Sequence, residues 1–326
     1  MRLFAILLSS FILIHASTKD AFAAEKPVKL TPLRIGVPSR SATIMPFFVA
    51  RERGFFRDEG IEAEIILMKA PQTVQALLGG SVEFGAAAGT AVSAAVGGVE
   101  VRVVAAVVDK PTFDLISQPG ITTVEQLRGK KIGVSGVGAL SEILGRRLLL
   151  AHGVRPDQVT FLGLGPRHVP YMALKTGTID ATLLQIPLNF AAVDDGFRKL
   201  AYTGDTSRSL QGGLATTKAI ISQRPDLVTR VVRATLRAIR LIRDDRKFGV
   251  EFIKGPLLDI EGDRNRFAER VYNAMRPLFL ESGAIDEELQ REMIADAAQR
   301  IKPAQPVPPE RVFDFSFARK ASETLR

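Results

Sequence analysis

Short apolar runs alternate with longer amphipathic stretches along the first two thirds of the chain, a pattern typical of alternating strands and helices. The pattern predicts strands at 33–37, 63–67, 82–86, 131–134, 159–162 and 181–184, separated by helices at 45–52, 71–78, 140–151 and 168–175. Strands connected through helices in this way form parallel sheets with right-handed crossovers. We therefore expect an α/β protein with two mostly parallel sheets, each flanked by helices.

An internal repeat relates the two sets of elements. The first set opens at 34–37 (RIGV), and residues 131–134 (KIGV) open the second set 97 positions later. Both sets close on a glycine, one further residue, Val or Ile, and an acid, at 80–83 and 177–180. Open α/β sheets bind ligands beyond the carboxyl ends of their strands. Two lobes of the same topology therefore predict a ligand cleft between them.

The last third of the chain is mainly helical by its pattern, and we expect it to complete the first lobe. Arg230, Arg233, Arg237 and Arg240 share one face of a long predicted helix, which favours a solvated face. The first lobe is predicted to comprise residues 24–112 and 206–326, and the second lobe residues 113–205. The predicted elements of this third are a strand at 214–221, the long helix from 225 to about 248, and helices at 264–280 and 286–300.

The composition fits two domains and excludes several classes of site. The chain has 326 residues, 46% of them hydrophobic, which is enough for about two domains with buried cores. It has no cysteine, which excludes a disulfide, a thiolate metal site and a cysteine nucleophile. Three histidines without a ligand cluster predict no metal, and 7% aromatic residues without Trp argue against stacking on nucleic acid. We expect no cofactor and no nucleic-acid partner.

Residues 1–23 have the features of a secretory signal peptide. Arg2 gives a positive start, an apolar run follows at 3–14, and small residues at Ala21 and Ala23 precede a cleavage site. The apolar run is shorter than the roughly 20 residues that span a bilayer. We expect cleavage after Ala23 and a protein that is exported to the periplasm.

The topology places the chemistry of the cleft in the loops at 38–43, 87–90, 135–141 and 185–189. The glycine-rich segment 135–141 follows a strand and opens a helix, so its free N–H groups and the positive helix end favour an anion. A tight turn that holds no ligand is the alternative. Arg40 could hold a carboxylate or sulfonate through two hydrogen bonds, and a solvent-facing arginine or an ion pair across the cleft is the alternative.

Three stretches, at 47–61 (FFVARERGFFRDEGI), 76–85 (ALLGGSVEFG) and 127–134 (LRGKKIGV), resemble one family. It is that of the periplasmic solute-binding proteins of ABC importers, in the branch of sulfonate, taurine, nitrate and thiamine-pyrimidine binders. The resemblance implies the type II periplasmic binding protein fold, with two α/β lobes and a ligand cleft between them that closes on a small molecule. It further implies a monomer without catalytic residues that delivers its ligand to the transmembrane subunits of an ABC permease.

The resemblance also implies where the ligand is held. Several relatives carry an aromatic residue in the first loop or near 185, where this chain has Ser39, Arg40 and Gln185, so the ligand class stays open. The basic net charge of +9 and Arg40 favour a small anion such as a sulfonate, nitrate or carboxylate. The implied ligand-binding residues are Ser39, Arg40, Ser41, Thr43, Gly89, Thr90, Gly136, Val137, Gly138, Ser141, Gln185 and Asn189.

Three alternatives remain at this point. A pyrimidine-type heterocycle could stack on Phe47, Phe48 or Tyr171. A sensor domain or chemoreceptor partner would share the same binding chemistry. An enzyme on the same fold is the third alternative, because fold does not fix function. Pyrimidine-precursor synthases look similar, but the resemblance implies that they use a cysteine-rich motif and histidine, and this chain has no cysteine.

Overall fold

Strands and helices alternate through most of the computed structural model, which describes residues 30–166, 168–255 and 264–325. The predicted signal peptide, 1–23, lies outside the described residues. The strands are β1 (Thr31–Val37), β2 (Ile61–Leu67), β3 (Phe84–Gly85), β4 (Val101–Val108), β5 (Phe113–Ser117), β6 (Lys131–Val134), β7 (Thr160–Gly163), β8 (Ala181–Gln185), β9 (Arg198–Tyr202) and β10 (Gly212–Thr217). The α-helices are α1 (Met45–Glu52), α2 (Phe55–Asp58), α3 (Ala70–Leu78), α4 (Ala88–Val96), α5 (Leu140–Ala151), α6 (His168–Lys175), α7 (Leu188–Asp194), α8 (Lys218–Gln223), α9 (Pro225–Asp244), α10 (Arg246–Lys254), α11 (Arg264–Met275), α12 (Glu287–Ile301), α13 (Pro309–Val312) and α14 (Ser316–Glu323).

The described strands form two five-stranded sheets of the same topology. The strand order is β2-β1-β3-β10-β4 in the first sheet and β7-β6-β8-β5-β9 in the second. β1 is parallel to β2 and β3, and β6 is parallel to β7 and β8. β10 and β5 are antiparallel to their neighbours. The predicted α/β class is confirmed, with one antiparallel strand in each sheet. We call each sheet with its packed helices a lobe.

Matching hydrogen bonds reproduce the sequence repeat. In the first lobe, the Glu83 carboxylate accepts a hydrogen bond from the backbone N–H of Arg34 at 2.7 Å. In the second lobe, the Asp180 carboxylate accepts from the backbone N–H of Lys131 at 2.8 Å. Both members of the second bond stand 97 positions after those of the first. The acid that closes each repeat therefore satisfies a backbone donor in the strand that opens it.

Within the described residues, the chain passes between the two sheets twice. It leaves β4 and enters β5 through residues 109–112, and it returns from β9 to β10 through residues 203–211. Arg208 joins the two crossings, because its guanidinium donates to the Asp109 carboxylate at 2.7 Å. The predicted division into domains, after 112 and after 205, falls at these crossings and stays a prediction.

The C-terminal helices pack on the first lobe, and capping residues set their bounds. α9 contacts α1 and α14, and α12 packs on α4. The predicted strand at 214–221 ends early, because the Thr217 hydroxyl accepts from the backbone N–H of Ile220 and starts α8. The predicted helix from 225 to about 248 is broken, because the Asp245 carboxylate accepts from the backbone N–H of Phe248 at 2.8 Å and starts α10.

The arginine face of α9 is not the solvated face that the spacing predicts. Arg230 donates to the backbone carbonyl of Glu59, and Arg233 pairs with the Glu59 carboxylate at 2.9 Å. Arg237 pairs with Asp58 at 2.8 Å, and Arg240 donates to the backbone carbonyl of Leu325. These arginines hold α2 and the end of the chain against α9.

Candidate functional site

A cavity of about 190 Å³ lies where both lobes and both crossings meet. It joins the loop after β1 with Thr112 of the first crossing, Gln185 at the end of β8 and Gln211 of the second crossing. We call it the hydroxyl cavity. Its lining residues are Pro38, Ser39, Ser41, Ala42, Thr43, Ile44, Thr112, Gln185, Ile186, Gln211 and Met275.

Three predicted hydroxyls form a continuous chain in this cavity. The Ser39 hydroxyl donates to Ser41 Oγ at 3.0 Å, and Ser41 Oγ and Thr43 Oγ1 are 2.9 Å apart. All three residues are half-buried. Because a hydroxyl both donates and accepts, reversing the direction of this chain would present either a donor or an acceptor to a ligand.

Arg40 lies in the chain between two serines that line the cavity. Its side chain has a buried hydrogen-bond donor that lacks an acceptor in the described part of the chain. The residue is half-buried, and its Nε is a buried donor without a hydrogen-bond partner among the described residues. A buried donor left unpaired costs about 1–3 kcal/mol, more when the group is charged. Arg40 is not among the residues that line the hydroxyl cavity. The position adjoins the cavity and has unused capacity to bind an anion.

A second cavity, of about 330 Å³, adjoins the first through the shared residue Gln211. It contains two predicted residues, Gly89 in the first turn of α4 and Gly138 before α5. Thr90 stands next to Gly89 in α4 and is half-buried, without lining this cavity. We call it the helix-start cavity. Its lining residues are Gly89, Val92, Ser93, Gly138, Leu140, Ile143, Leu144, Arg147, Ser209, Leu210, Gln211, Met293, Asp296, Ala297 and Arg300.

The glycine-rich start of α5 already holds a carboxylate. The backbone N–H of Gly138 donates to Glu142 Oε2 at 2.5 Å, and Arg146 donates to Glu142 Oε1 at 2.6 Å. Glu142 is 4% exposed. The hydrogen bond from Gly138, followed by that from Arg146, holds the pKa of the Glu142 carboxyl below its usual range. An external anion at Gly138 would have to compete with this side chain.

The other predicted residues of this loop, Gly136, Val137 and Ser141, differ in how far they are buried. Ser141 is buried, and its Oγ accepts from the backbone N–H of Ser135 at 3.0 Å. Val137 is 82% exposed, and Gly136 is half-buried beside it. None of the three lines the hydroxyl cavity or the helix-start cavity.

Gln185 and Asn189 lie at different cavities in the structure. Gln185 lines the hydroxyl cavity, where its Nε2 lies 3.4 Å from Thr112 Oγ1. Asn189 is buried; its Nδ2 donates to Asp114 Oδ2 at 2.7 Å, and its Oδ1 accepts from the backbone N–H of Phe190. Both polar atoms of Asn189 are therefore engaged within the second lobe.

Asn189 borders a third cavity, of about 240 Å³, which we call the aromatic cavity. It shares Thr112 and Ile186 with the hydroxyl cavity. Its lining residues are Thr112, Asp114, Ile186, Asn189, Phe190, Lys199, Tyr202, Asn273, Ala274, Pro277 and Leu278. The three cavities thus form a row, with the hydroxyl cavity in the middle.

Thr112, Gln211 and Met275 were missed by reasoning from the sequence. Thr112 and Gln211 belong to the crossings, which do not follow a strand of the repeat, and Met275 ends α11. The available signal was the inference that the chain must pass between the lobes twice, since the crossings of two such lobes lie beside the cleft. That inference locates the segments but not the side chains that face inward.

Residues 30–166, 168–255 and 264–325 contain neither a metal-binding cluster nor a membrane-spanning helix. No group of three or more His, Cys, Asp or Glu residues there could hold a metal ion. No helix in those ranges combines the length and the hydrophobicity that crossing a membrane requires.

Comparisons with known proteins give a family and a fold. The model of the family described as NMT1/THI5 like matches residues 41–246. A Saccharomyces cerevisiae protein, 4-amino-5-hydroxymethyl-2-methylpyrimidine phosphate synthase THI5, is 30% identical over 142 residues, which are 42% of this chain. The chain spans about two fifths of the length of that enzyme, 41%.

Two solved structures share the fold at low sequence identity. The periplasmic aliphatic sulphonate binding protein SsuA of Escherichia coli is 18% identical, with a TM-score of 0.70 over 86% of this chain and 97% of that one. The periplasmic nitrate-binding protein NrtA of Synechocystis PCC 6803 is 12% identical, with a TM-score of 0.63 over 91% of this chain and 90% of that one. The predicted two-lobed fold is confirmed.

Proposed function

The chain belongs to the NMT1/THI5-like family, and on that premise we propose that it is the extracytoplasmic solute-binding component of an ABC-type importer. It captures a small anion between its lobes, closes on it and delivers it to the transmembrane subunits of a permease. It acts as an exported monomer and catalyses no reaction. Hinge closure around a ligand is an established type of domain motion.

The environment of the Arg40 side chain is the observation that best supports an anionic ligand. Its Nε is buried and has no hydrogen-bond partner among the described residues, and Arg40 stands in the chain between Ser39 and Ser41, which line the hydroxyl cavity. A sulfonate, nitrate or carboxylate would supply the missing acceptor, and the chain of hydroxyls would donate further hydrogen bonds. A neutral ligand would bring no charge opposite to that of the guanidinium.

The size of the hydroxyl cavity supports a small solute. Its volume of about 190 Å³ lies below the roughly 300–1,000 Å³ of pockets that take drug-sized ligands. Two fold relatives are named for anions, a sulphonate and nitrate, and this agrees with the class that Arg40 favours. The candidates for ligand contact are Ser39, Arg40, Ser41, Thr43 and Gln185, with Thr112 and Gln211 added by the structure.

A pyrimidine-type heterocycle is the second candidate ligand. The aromatic cavity favours it, since Phe190 and Tyr202 line this space beside the cleft. The stacking role considered for Phe47 and Phe48 is wrong, because both are buried in the core of the first lobe. Tyr171 lines none of the three cavities, and its hydroxyl donates to Asp195 at 2.7 Å.

A thermal-shift screen followed by calorimetric titration tests the proposal. The panel is methanesulfonate, taurine, nitrate, acetate and a hydroxymethylpyrimidine. A true ligand at 100 times its Kd raises the free energy of unfolding by about 2.7 kcal/mol. We expect an anion to do so, and we expect Arg40→Gln to weaken its binding about 10- to 100-fold, since a hydrogen bond to a charged group contributes about 1.5–3 kcal/mol.

Arg155→Gln is the matched control, because it makes the same charge change at an exposed ion pair with Asp157. We expect this variant to bind the anion as the parent does. Equal affinities of the Arg40→Gln and Arg155→Gln variants would refute the role of Arg40. Stabilisation by the pyrimidine alone would favour the second candidate.

A further inference from the structure

Two helices of the second lobe connect candidate binding loops with ion pairs to the first lobe. α5 begins just after the loop that holds Gly138, and it carries Arg147. α7 begins just after Gln185 and ends at Asp194. Each helix therefore runs from a loop at the cleft to a charged contact with the opposite lobe.

Arg147 on α5 pairs with Asp296 on α12 of the first lobe. One guanidinium nitrogen, Nη2, lies 2.9 Å and 2.7 Å from the two carboxylate oxygens. Both side chains are somewhat over one third exposed, and both line the helix-start cavity. We call this pair the α5–α12 latch.

Asp194 on α7 pairs with two arginines on α11 of the first lobe. Arg266 lies 2.5 Å from one carboxylate oxygen, and Arg270 lies 2.7 Å from the other. Hydrogen bonds from Arg270 and then Arg266 hold the pKa of the Asp194 carboxyl below its usual range. The guanidinium of Arg270 also lies 4.5 Å from the centroid of the Phe190 ring. We call this group the α7–α11 latch.

The position of Asp194 is unfavourable for its own helix. It is the last residue of α7, and a carboxylate at a helix C-terminus opposes the helix dipole. Local structure therefore does not account for an acid at this position, whereas the two arginines of the opposite lobe do. Its neighbour Asp195 pairs instead with Lys175 and Tyr171 inside the second lobe.

The two latches stand at the outer members of the row of cavities. Arg147 and Asp296 line the helix-start cavity, and Phe190, which Arg270 covers, lines the aromatic cavity. The hydroxyl cavity lies between these two and shares lining residues with each. The ion pairs on both sides of the hydroxyl cavity, where the solute is proposed to bind, therefore form only when the two lobes are in contact.

We propose that Arg147, Asp296, Asp194 and Arg270 are positioning residues that set the fraction of the protein with a closed cleft, without touching the solute. The inference rests on the proposed function, in which closure is the capture step. The apparent Kd equals the intrinsic Kd divided by the closed fraction. Partly exposed ion pairs change an equilibrium about two- to fivefold each, and salt near 1 M screens them.

Spin-label distance measurements on the ligand-free protein test this directly. The chain has no cysteine, so Leu150→Cys on α5 and Gln299→Cys on α12 take labels at two defined exposed sites. We expect Arg147→Ala and Asp194→Asn each to lower the ratio of short- to long-distance populations about two- to fivefold. We expect 1 M NaCl to act in the same direction.

Neighbouring residues supply matched controls. Arg146→Ala and Asp195→Asn make similar changes in pairs that stay inside the second lobe, and we expect neither to change the distances. Exchanging the partners, Arg147→Asp with Asp296→Arg, should restore the short-distance population, which a merely structural defect would not allow. Unfolding curves identify any variant that fails to fold.

Two results would overturn the inference. The first is that the distances do not change in either latch variant, and the second is that the exchange of partners fails to restore them in a folded protein. These distance measurements use no ligand, so their result is independent of the anion screen. Where methanesulfonate binds the parent, we expect each latch variant to raise its Kd by the factor by which it lowers the closed fraction. An unchanged Kd together with an altered closed fraction would also overturn it.

Discussion

The Glu142 carboxylate lies against the glycine-rich loop that precedes α5. A glycine-rich loop before a helix is a typical anion site, and the sequence shows this loop clearly. The structure fills it with a carboxylate four residues further along the chain, through the Gly138 N–H and Arg146. The Gly138 N–H is therefore occupied from within the chain, which leaves Arg40 as the better candidate for holding the solute.

The lowered pKa of Glu142 predicts a pH dependence of stability. A carboxyl whose pKa is lower in the folded than in the unfolded state stabilises the fold above its unfolded pKa, about 4.3 for Glu, and this is lost as the pH falls through the folded pKa. We expect Glu142→Gln to lower the free energy of unfolding by about 1 kcal/mol at neutral pH. Below about pH 4 the difference between parent and variant should shrink.

Urea unfolding of both proteins at neutral and acidic pH measures this difference. Glu52→Gln is the control, because Glu52 forms an exposed pair with Arg51, and we expect it to stay within about 0.5 kcal/mol of the parent. A difference for Glu142→Gln that does not depend on pH would contradict the role of its charge.

The sequence predicts best those helices and strands whose first and last residues are set by local sequence signals. The bounds predicted for α1, α5, α6 and β6 match the structure, because apolar periodicity and flanking Gly or Pro residues define them. The break between α9 and α10 was missed, because Asp245 caps the second helix inside an otherwise continuous amphipathic pattern. The spacing of the α9 arginines shows that they share a face, but not that α2 and the chain end cover it.

The α9 arginine face predicts a measurable contribution to stability. Arg233 pairs with Glu59, whose side chain is only 10% exposed. We expect Arg233→Ala to lower the free energy of unfolding by about 1–3 kcal/mol, because it leaves a nearly buried carboxylate without its partner. Urea unfolding at neutral pH measures this loss.

Arg246→Ala is the matched control for the arginine face. Arg246 pairs with Glu269, and more than half of each side chain is exposed, so we expect a change within about 0.5 kcal/mol. Equal effects of the two substitutions would mean that the arginine face is no more important than an ordinary surface pair.

At the scale of the whole molecule, the repeat was the most informative feature of the sequence. Two units at the same spacing predict two similar lobes, and the strand-end loops then converge on one cleft. The sequence could not predict which side chains in those loops are free. Among the described residues Arg40 Nε has no hydrogen-bond partner, whereas Asn189 is bound by Asp114, which lies 75 residues away from it in the chain.

The most direct test of solute capture by closure measures the distance between the lobes with and without an anion. The probe is the tightest-binding anion of the panel, added to protein that carries spin labels at Leu150→Cys and Gln299→Cys. We predict that the anion increases the short-distance population in the parent, and that the same concentration has little effect when Arg40→Gln is added. Binding of the anion without any change in distance, or an equal change in the Arg40→Gln variant, would contradict the account.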